Sequence, residues 1–376
     1  VAAAGIPVGD VEQLHVHGRL LLCVVVEMHP DSAQATAATL QASLGAFTGI
    51  DVSVESLSRA ADASAGARHL VTVLARPLTA AQLSTVFEAI ACSGANVERI
   101  VRLSETPVTS YELTVAGTDP GLLRRSLGEA AADLGIDVAV QRSGLQRRAR
   151  HLVVLDVDST LVQGEAIDLL AAAAGKGAEV EALTAEAMAG RRDFAASLRA
   201  RVAHLAGLDE GTVDDVGRQL VLAPGARTLI RTLRRLGHTT AVVSGGFTRM
   251  IQPVVDELGI DFMAANVLEI EGGQLTGRLS GPVVDRAGKA AALERFAQAA
   301  GVPLSRTVAV GDGANDIDML VRAGLGIAFN AKPVLRDVAD AAVNVPYLDS
   351  VLFLLGIPRS EIEAADAGSD LAGRGA

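Results

Sequence analysis

Residues 152–160 read LVVLDVDST. Four branched apolar residues run without a break into Asp156, and a single Val separates it from Asp158. A short apolar run ending in polar residues is the pattern of a strand buried on both faces, as in a parallel sheet with a polar C-terminal rim. Two carboxylates two residues apart at a strand end can both reach one site. Taken alone, they could equally be turn residues that cap the next helix.

The pattern recurs downstream. TTAVV (239–243) runs into Ser244-Gly245-Gly246-Phe247, and TVAV (307–310) runs into Gly311-Asp312-Gly313-Ala314-Asn315-Asp316. Between these stretches Ala and Leu recur at helical spacing over 165–219, closed by Pro224-Gly225. Helices are expected over 226–236, from the Ser244 loop through 255, over 289–300 and up to 322, with a β-rich excursion over 263–279. Strands alternating with helices give an α/β fold, a doubly wound parallel sheet with ligands at the strand C-termini.

Each rim segment has its own chemistry. Ser244 beside two glycines offers a hydroxyl and closely approachable N–H groups at a helix start, suited to phosphate; by itself the tetrapeptide also reads as a glycine turn. Gly288-Lys289 opens a helix, and a lone Lys is ordinarily a solvated charge. Asp312, Asn315 and Asp316 crowd one strand end, where like charges are unfavourable without a cation; hard oxygen ligands on one rim suit Mg2+.

The first 150 residues carry no catalytic cluster. Strands are expected over 68–75, 96–103, 108–116 and 136–141, with helices over 79–93, capped by Thr79, and 119–134, with Pro120 at its first position. The order βαββαβ is ferredoxin-like. Residues 1–60 repeat its last part: strands over 11–16, 19–27 and 51–56, and a helix near 33–44. The basic stretch 142–150 (RSGLQRRAR) reads as a linker, and the acidic, Gly-rich tail over 357–376 is expected to fray from Ser360.

Composition narrows the function classes. The 376 residues hold 33 Lys and Arg against 44 Asp and Glu, a net charge of -11, which argues against general nucleic-acid binding. With no Trp and two Tyr there is no platform for stacking single-stranded bases. The 49% hydrophobic and 20% charged content is globular. Cys23 and Cys92 are the only cysteines, so a disulfide framework or Cys-based zinc site is excluded and a reducing, cytoplasmic setting is expected. The apolar runs 20–26 and 351–355 fall far short of the ~18 residues of a membrane span. The opening VAAAGIPVGD lacks the basic and apolar regions of a signal peptide; its Val start fits a Val initiation codon or a fragment.

The order of acid pair, hydroxyl, lysine and acid pair resembles the four motifs of the haloacid dehalogenase (HAD) superfamily of phosphotransfer hydrolases over 151–356. DVDSTLVQGEAID, EAMAGRRDFAASLRARV, VVSGGF and VAVGDGANDIDML are similar in particular to the phosphoserine phosphatase family. That resemblance implies Mg2+-dependent hydrolysis of O-phospho-L-serine to L-serine and phosphate, the last step of serine biosynthesis. It implies Asp156 as the nucleophile forming an aspartyl-phosphate and Asp158 as general acid and base. The metal would be held by Asp156, Asp312 and the backbone carbonyl of Asp158, with Asp316 in support. Ser244, the Gly245 N–H and Lys289 would hold the phosphoryl oxygens, and Asn315 would orient the substrate.

Residues 165–223 look like a helical cap over this site. Asp193 can cap a helix whose apolar stripe is Phe194, Leu198, Val202 and Leu205, and Arg201 falls on the same face. An arginine laying its stem along that stripe is the plain alternative. The resemblance implies instead that Arg201 meets the substrate carboxylate and Glu165 its ammonium, while Met188 and Phe194 close the pocket. Arg191, Arg192 and Arg199 remain rivals for the carboxylate.

Residues 67–143 resemble an ACT domain, a regulatory module that binds amino acids and pairs through its sheets, with 1–60 as a partial second copy. The resemblance implies a homodimer and an amino-acid effector such as serine. One departure stands out: Arg76-Pro77-Leu78 occupies the place of the usual glycine turn after the first strand, so a purely structural dimerising role is the alternative to amino-acid sensing. Two rival readings remain, a phosphatase or phosphotransferase of the same fold for another small phosphorylated metabolite, and a non-catalytic amino-acid sensor.

Overall fold

The computed structural model describes residues 8–16, 18–26, 30–44, 51, 53–55, 67–144, 147, 149–188 and 194–373. The chain divides into two compact units, residues 1–65 and 66–376. In the first, β1 (Val8–Val16) and β2 (Arg19–Val26) form an antiparallel pair, followed by α1 (Pro30–Leu44). Of the strand expected over 51–56, the described residues 51 and 53–55 carry no regular secondary structure, because neither β1 nor β2 offers them a ladder.

The second unit opens with β3 (His69–Ala75), α2 (Ala80–Cys92), β4 (Asn96–Ser104), β5 (Thr109–Ala116), α3 (Pro120–Leu134) and β6 (Asp137–Arg142). These form the expected βαββαβ, with antiparallel strand order β6-β3-β5-β4. Thr79 and Gln82 close a reciprocal capping box on α2. Asp119 caps α3, Pro120 takes its first turn, and Gly135 ends it in the left-handed region.

β7 (Leu152–Asp156) starts the second sheet region and is wholly buried. α4 (Ala166–Ala173), α5 (Gly177–Met188), α6 (Phe194–Ala203) and α7 (Glu210–Gly217) form a helical insertion whose Leu170, Leu198 and Val202 share an apolar cluster with Phe247 and Met250. The chain continues through α8 (Ala226–Arg235), β8 (Thr239–Phe247), α9 (Thr248–Leu258), the hairpin β9 (Phe262–Glu271) and β10 (Gln274–Ser280), α10 (Arg286–Ala300), β11 (Thr307–Gly311) and α11 (Ile317–Arg322). It ends with β12 (Leu325–Phe329), α12 (Pro333–Arg336), β13 (Ala341–Val343), α13 (Val351–Leu354) and α14 (Arg359–Gly373).

Strands β9-β8-β7-β11-β12-β13 are parallel neighbours in that order, with β10 antiparallel at the outer edge. Chain order reverses between β7 and β11, so both strands end at a crevice where this fold class binds ligands. Apolar clusters lie on each face, one with Leu155, Val242 and Val310, the other with Val154, Val243 and Ala309. At the far edge β13 pairs antiparallel with β6, so the two sheets run on as one of eleven strands.

Three further expectations are corrected. β8 does not stop at Val243; it runs through Phe247, with an irregularity between Val243 and Phe247, because Phe247 regains a partner at Asn266. The tail does not fray at Ser360 but forms α14, anchored by buried Ile362 and by Asp366, which pairs with Arg231 and Arg235. Arg147, in the expected linker, is packed: it pairs with Glu112 at 2.5 Å and donates to Leu354 O at 3.0 Å.

Candidate active site

Asp156 is the last residue of β7, and a single wide turn over Val157–Leu161 follows it. Within that turn Ser159 has φ +58, a left-handed conformation uncommon for a residue with a Cβ. Its N–H is satisfied by Gly164 O at 2.9 Å. The turn brings Asp158 back over the strand end, where its Oδ1 accepts from Ala166 N–H (2.8 Å) and its Oδ2 from the Ser244 hydroxyl (2.9 Å). Asp158 thus joins β7, the start of α4 and β8. Ser244 Oγ in turn accepts the Gly246 N–H at 2.7 Å.

Lys289 enters from α10, whose N-terminus is capped by Asp285. It has no solvent exposure, and its Nζ donates to Asp156 Oδ1 and Asp316 Oδ1, both at 2.7 Å. Burial would lower its pKa, but the two carboxylates more than reverse that and keep it charged. The other Asp316 oxygen accepts from the N–H groups of Asp312 (3.2 Å) and Gly313 (3.1 Å). Gly311 is required beneath it, since a Cβ there would overlap the Asp316 carboxyl.

Asp156, Asp312 and Asp316 each place a carboxylate oxygen within 4.8 Å of the others. Burial first, and then Asp316, raise Asp156 well above the ordinary carboxylate range and Asp312 to about 6, against the opposing pull of Lys289. One ammonium does not balance three carboxylates, two of them buried and the third half-buried. A donor set of hard oxygens with a deficit of positive charge fits a small divalent cation. The Asp158 carboxyl is engaged elsewhere, with Ala166 and Ser244. Asn315 lies in the same loop and folds over Gly313, leaving no space for a Cβ there.

The insertion faces this cluster. Phe194 sits over Gly245: a Cβ on that glycine would lie 3.1 Å from the Phe194 ring tip. Arg201 on α6 is only 8% exposed, its Nε has no hydrogen-bond partner among the described residues, and its guanidinium meets Thr184 Oγ1 at the limiting distance of 3.5 Å. Burial weakens its hold on the proton, while Glu165, Asp168 and Asp158 strengthen it, so the guanidinium faces the acidic side of the site. A buried, under-satisfied guanidinium has donors to spare for an anion.

Glu165 precedes α4 and accepts from Ser159 Oγ at 3.5 Å. Though its surface is exposed, crowding by neighbouring atoms and then Asp158, Asp312 and Asp168 push it up to about 7, with Arg201 opposing. Arg199, one of the rivals of Arg201, is exposed. Arg191, Arg192 and the cap Asp193 lie outside the described residues, as does the side chain of Met188.

The sequence reading missed Asn266. It is 1% exposed on β9; its Nδ2 donates to Gly245 O and its Oδ1 accepts from Val284 N–H, both at 2.8 Å. It therefore ties the glycine bulge of β8 to the segment leading into Lys289. Thr184 and Asp168, beside Arg201, were also missed.

Over 384 aligned residues the chain is 52% identical to the phosphoserine phosphatase of Streptomyces coelicolor, covering 100% of this chain and 92% of that protein. The chain belongs to the phosphoserine phosphatase family. Residues 153–321 match the family described as haloacid dehalogenase-like hydrolase, and residues 67–141 match an ACT domain. Among solved structures, the unliganded probable phosphoserine phosphatase of Vibrio cholerae aligns with a TM-score of 0.62 at 34% identity, over 77% of this chain and 86% of that one. A phosphoserine phosphatase solved as a phospho-aspartyl intermediate analogue aligns at 0.52 and 41%, over 55% of this chain and 98% of that one. The phosphoserine phosphatase match thus extends over the ACT domain, the helical insertion and the strand-end cluster together.

Proposed function

We propose that this chain hydrolyses O-phospho-L-serine to L-serine and phosphate, the last step of serine biosynthesis, in the cytoplasm, through an aspartyl-phosphate on Asp156. The observation that carries the reading is the pairing of two charged constellations. Asp156 is held by buried Lys289 with Asp158 beside it, and the buried, under-satisfied Arg201 lies in the field of the exposed Glu165. One end fits a phosphoryl group; the other fits the carboxylate and ammonium of an amino acid.

Asp156, oriented by Lys289, attacks phosphorus and the P–O bond to serine breaks. Asp158 gives a proton to the departing serine oxygen, then takes one from the water that attacks the acyl phosphate, releasing phosphate and restoring both carboxyls. Ser244, the Gly245 N–H and Lys289 bind the phosphoryl oxygens as their charge redistributes. Asn315 orients the ester, Arg201 and Glu165 hold the serine moiety, and Phe194 with Met188 shields it from water. Asp156, Asp312, the Asp158 carbonyl and, in support, Asp316 would hold Mg2+, which when bound supplies positive charge at the transferring group.

The reading extends to a homodimer joined through the ACT-like sheets and to an amino-acid effector, serine. Support comes from the exposed apolar residues Val11, Leu14, Leu20, Leu21 and Leu22 on β1 and β2. Light scattering showing a monomer at micromolar concentration would remove the dimer.

Acid quenching of the full chain with radiolabelled phosphoserine tests the chemistry. Label should be recovered on the peptide containing Asp156 and vanish in Asp156→Asn. Label on another residue, or turnover in Asp156→Asn, would refute the assignment.

A further inference from the structure

The ACT domain meets the catalytic region edge to edge. Ala139 of β6 pairs with Ala341 of β13, and Arg76 stacks on the Tyr347 ring at 5.4 Å. Gln141 Nε2 donates to Leu354 O at 2.7 Å, the carbonyl that also receives Arg147. Leu74, Leu103, Val108 and Ala139 from the ACT sheet share one core with Val343, Val345 and Phe353. These contacts account for docking.

One contact leads elsewhere. Asp137, at the start of β6, is 4% exposed although charged side chains are rarely so buried without a purpose. Its Oδ2 accepts the Asn344 backbone N–H at 2.7 Å and its Oδ1 accepts the Asn344 side-chain amide at 2.6 Å. Asn344 directly follows Val343, whose carbonyl accepts the Asn330 N–H at 2.8 Å. Asn330 holds φ +45, so that point of the chain is in the strained left-handed region and depends on its neighbours to stay there. Two residues on, the Lys332 N–H donates to Asp312 O at 3.1 Å. Hydrogen bonds joined by short stretches of backbone therefore lead from a carboxylate of the ACT domain, across the end of β13 and the turn after β12, to the backbone of Asp312.

We propose that Asp137 and Asn344 are positioning residues for the phosphatase reaction: through them the ACT domain holds the turn at 330–332 that fixes Asp312. The catalytic rim is then complete only with the ACT domain docked. In its effect on turnover, this rests on the reading of Asp312 as part of the phosphoryl-transfer site; in its structural part it does not.

The test uses the full chain without added metal and follows amide hydrogen exchange. In Asp137→Ala the Asn330 and Lys332 amides should exchange at least tenfold faster. With Mg2+ and phosphoserine, kcat should fall fivefold or more while KM stays within twofold, because Glu165 and Arg201 lie on the other wall. Asn344→Ala keeps the backbone bond and should show the same pattern more weakly. Gln141→Ala loosens docking without touching the run; it should lower heat stability but leave exchange at 330–332 and kcat as they were. Unchanged exchange or unchanged kcat in Asp137→Ala, or the same effects in Gln141→Ala, would overturn the proposal. A wild-type chain inactive on phosphoserine would instead sink the functional reading, with the exchange data still deciding the clasp.

Discussion

At Lys289 an ammonium without solvent contact separates two carboxylates in a dry pocket. Removing one partner of a buried ion network leaves the others uncompensated and costs about 3–5 kcal/mol. Lys289→Ala should therefore lower the metal-free unfolding free energy by about that much in denaturant titration, as well as stop turnover. Glu165 gives a second prediction. Its carboxyl, raised to about 7, is neutral below that pH and charged above it. An ammonium is held only by the charged form, so KM for phosphoserine should fall as pH rises through about 7, and Glu165→Gln should flatten that profile. The motif residues were legible because polar side chains interrupt unbroken apolar runs at Asp156, Ser244 and Asp312. Asn266 was not: in MAANVLEI it looks like any strand residue, and its two partners lie 21 and 18 positions away.

At the scale of elements, α6 shows how far periodicity reaches. The spacing put Arg201 on the face with Phe194, Leu198 and Val202, and Leu198, Arg201 and Val202 are indeed buried. Spacing could not choose between an arginine that covers an apolar stripe and one that awaits an anion; the unpartnered Nε supports the second reading, and substitution tests it. Loss of a hydrogen bond to a charged group costs ~1.5–3 kcal/mol, so Arg201→Ala should raise KM for phosphoserine roughly 10- to 100-fold. Phosphoethanolamine, which lacks the carboxylate, should be hydrolysed by Arg201→Ala about as well as by the parent chain. An equal loss on both esters would mean that Arg201 serves the fold. Two strands escaped the sequence reading altogether. β13 has three residues, too few for a period to show, and β12, though as long as β7 and β11, runs into no carboxylate motif as they do; both are defined by their neighbours in the sheet.

For the whole molecule, the alternation of strands and helices made the doubly wound sheet and the βαββαβ unit readable, since both are local patterns repeated. Their fusion into one sheet was not, because Asp137 and Asn344 are 207 residues apart and neither sits in a motif. The C-terminal helix escaped for a related reason: α14 is acidic along its length and gains order from distant partners. Besides the Asp366 pairs, Arg359 bonds Asp349 at 2.9 Å and stacks on Phe353 at 5.3 Å. Truncation before Arg359 should lower stability by about 1–3 kcal/mol, chiefly through Ile362, while KM for phosphoserine stays within twofold. A fraying tail would leave the unfolding midpoint unmoved.

The account stands most directly on what the full chain hydrolyses. Phosphate release should be measured from L-phosphoserine, O-phosphothreonine, glycerol phosphate and a phosphosugar, each with and without Mg2+. A strong preference for phosphoserine that requires Mg2+ is the predicted result. Equal or faster release from an ester lacking the amino-acid end would contradict it.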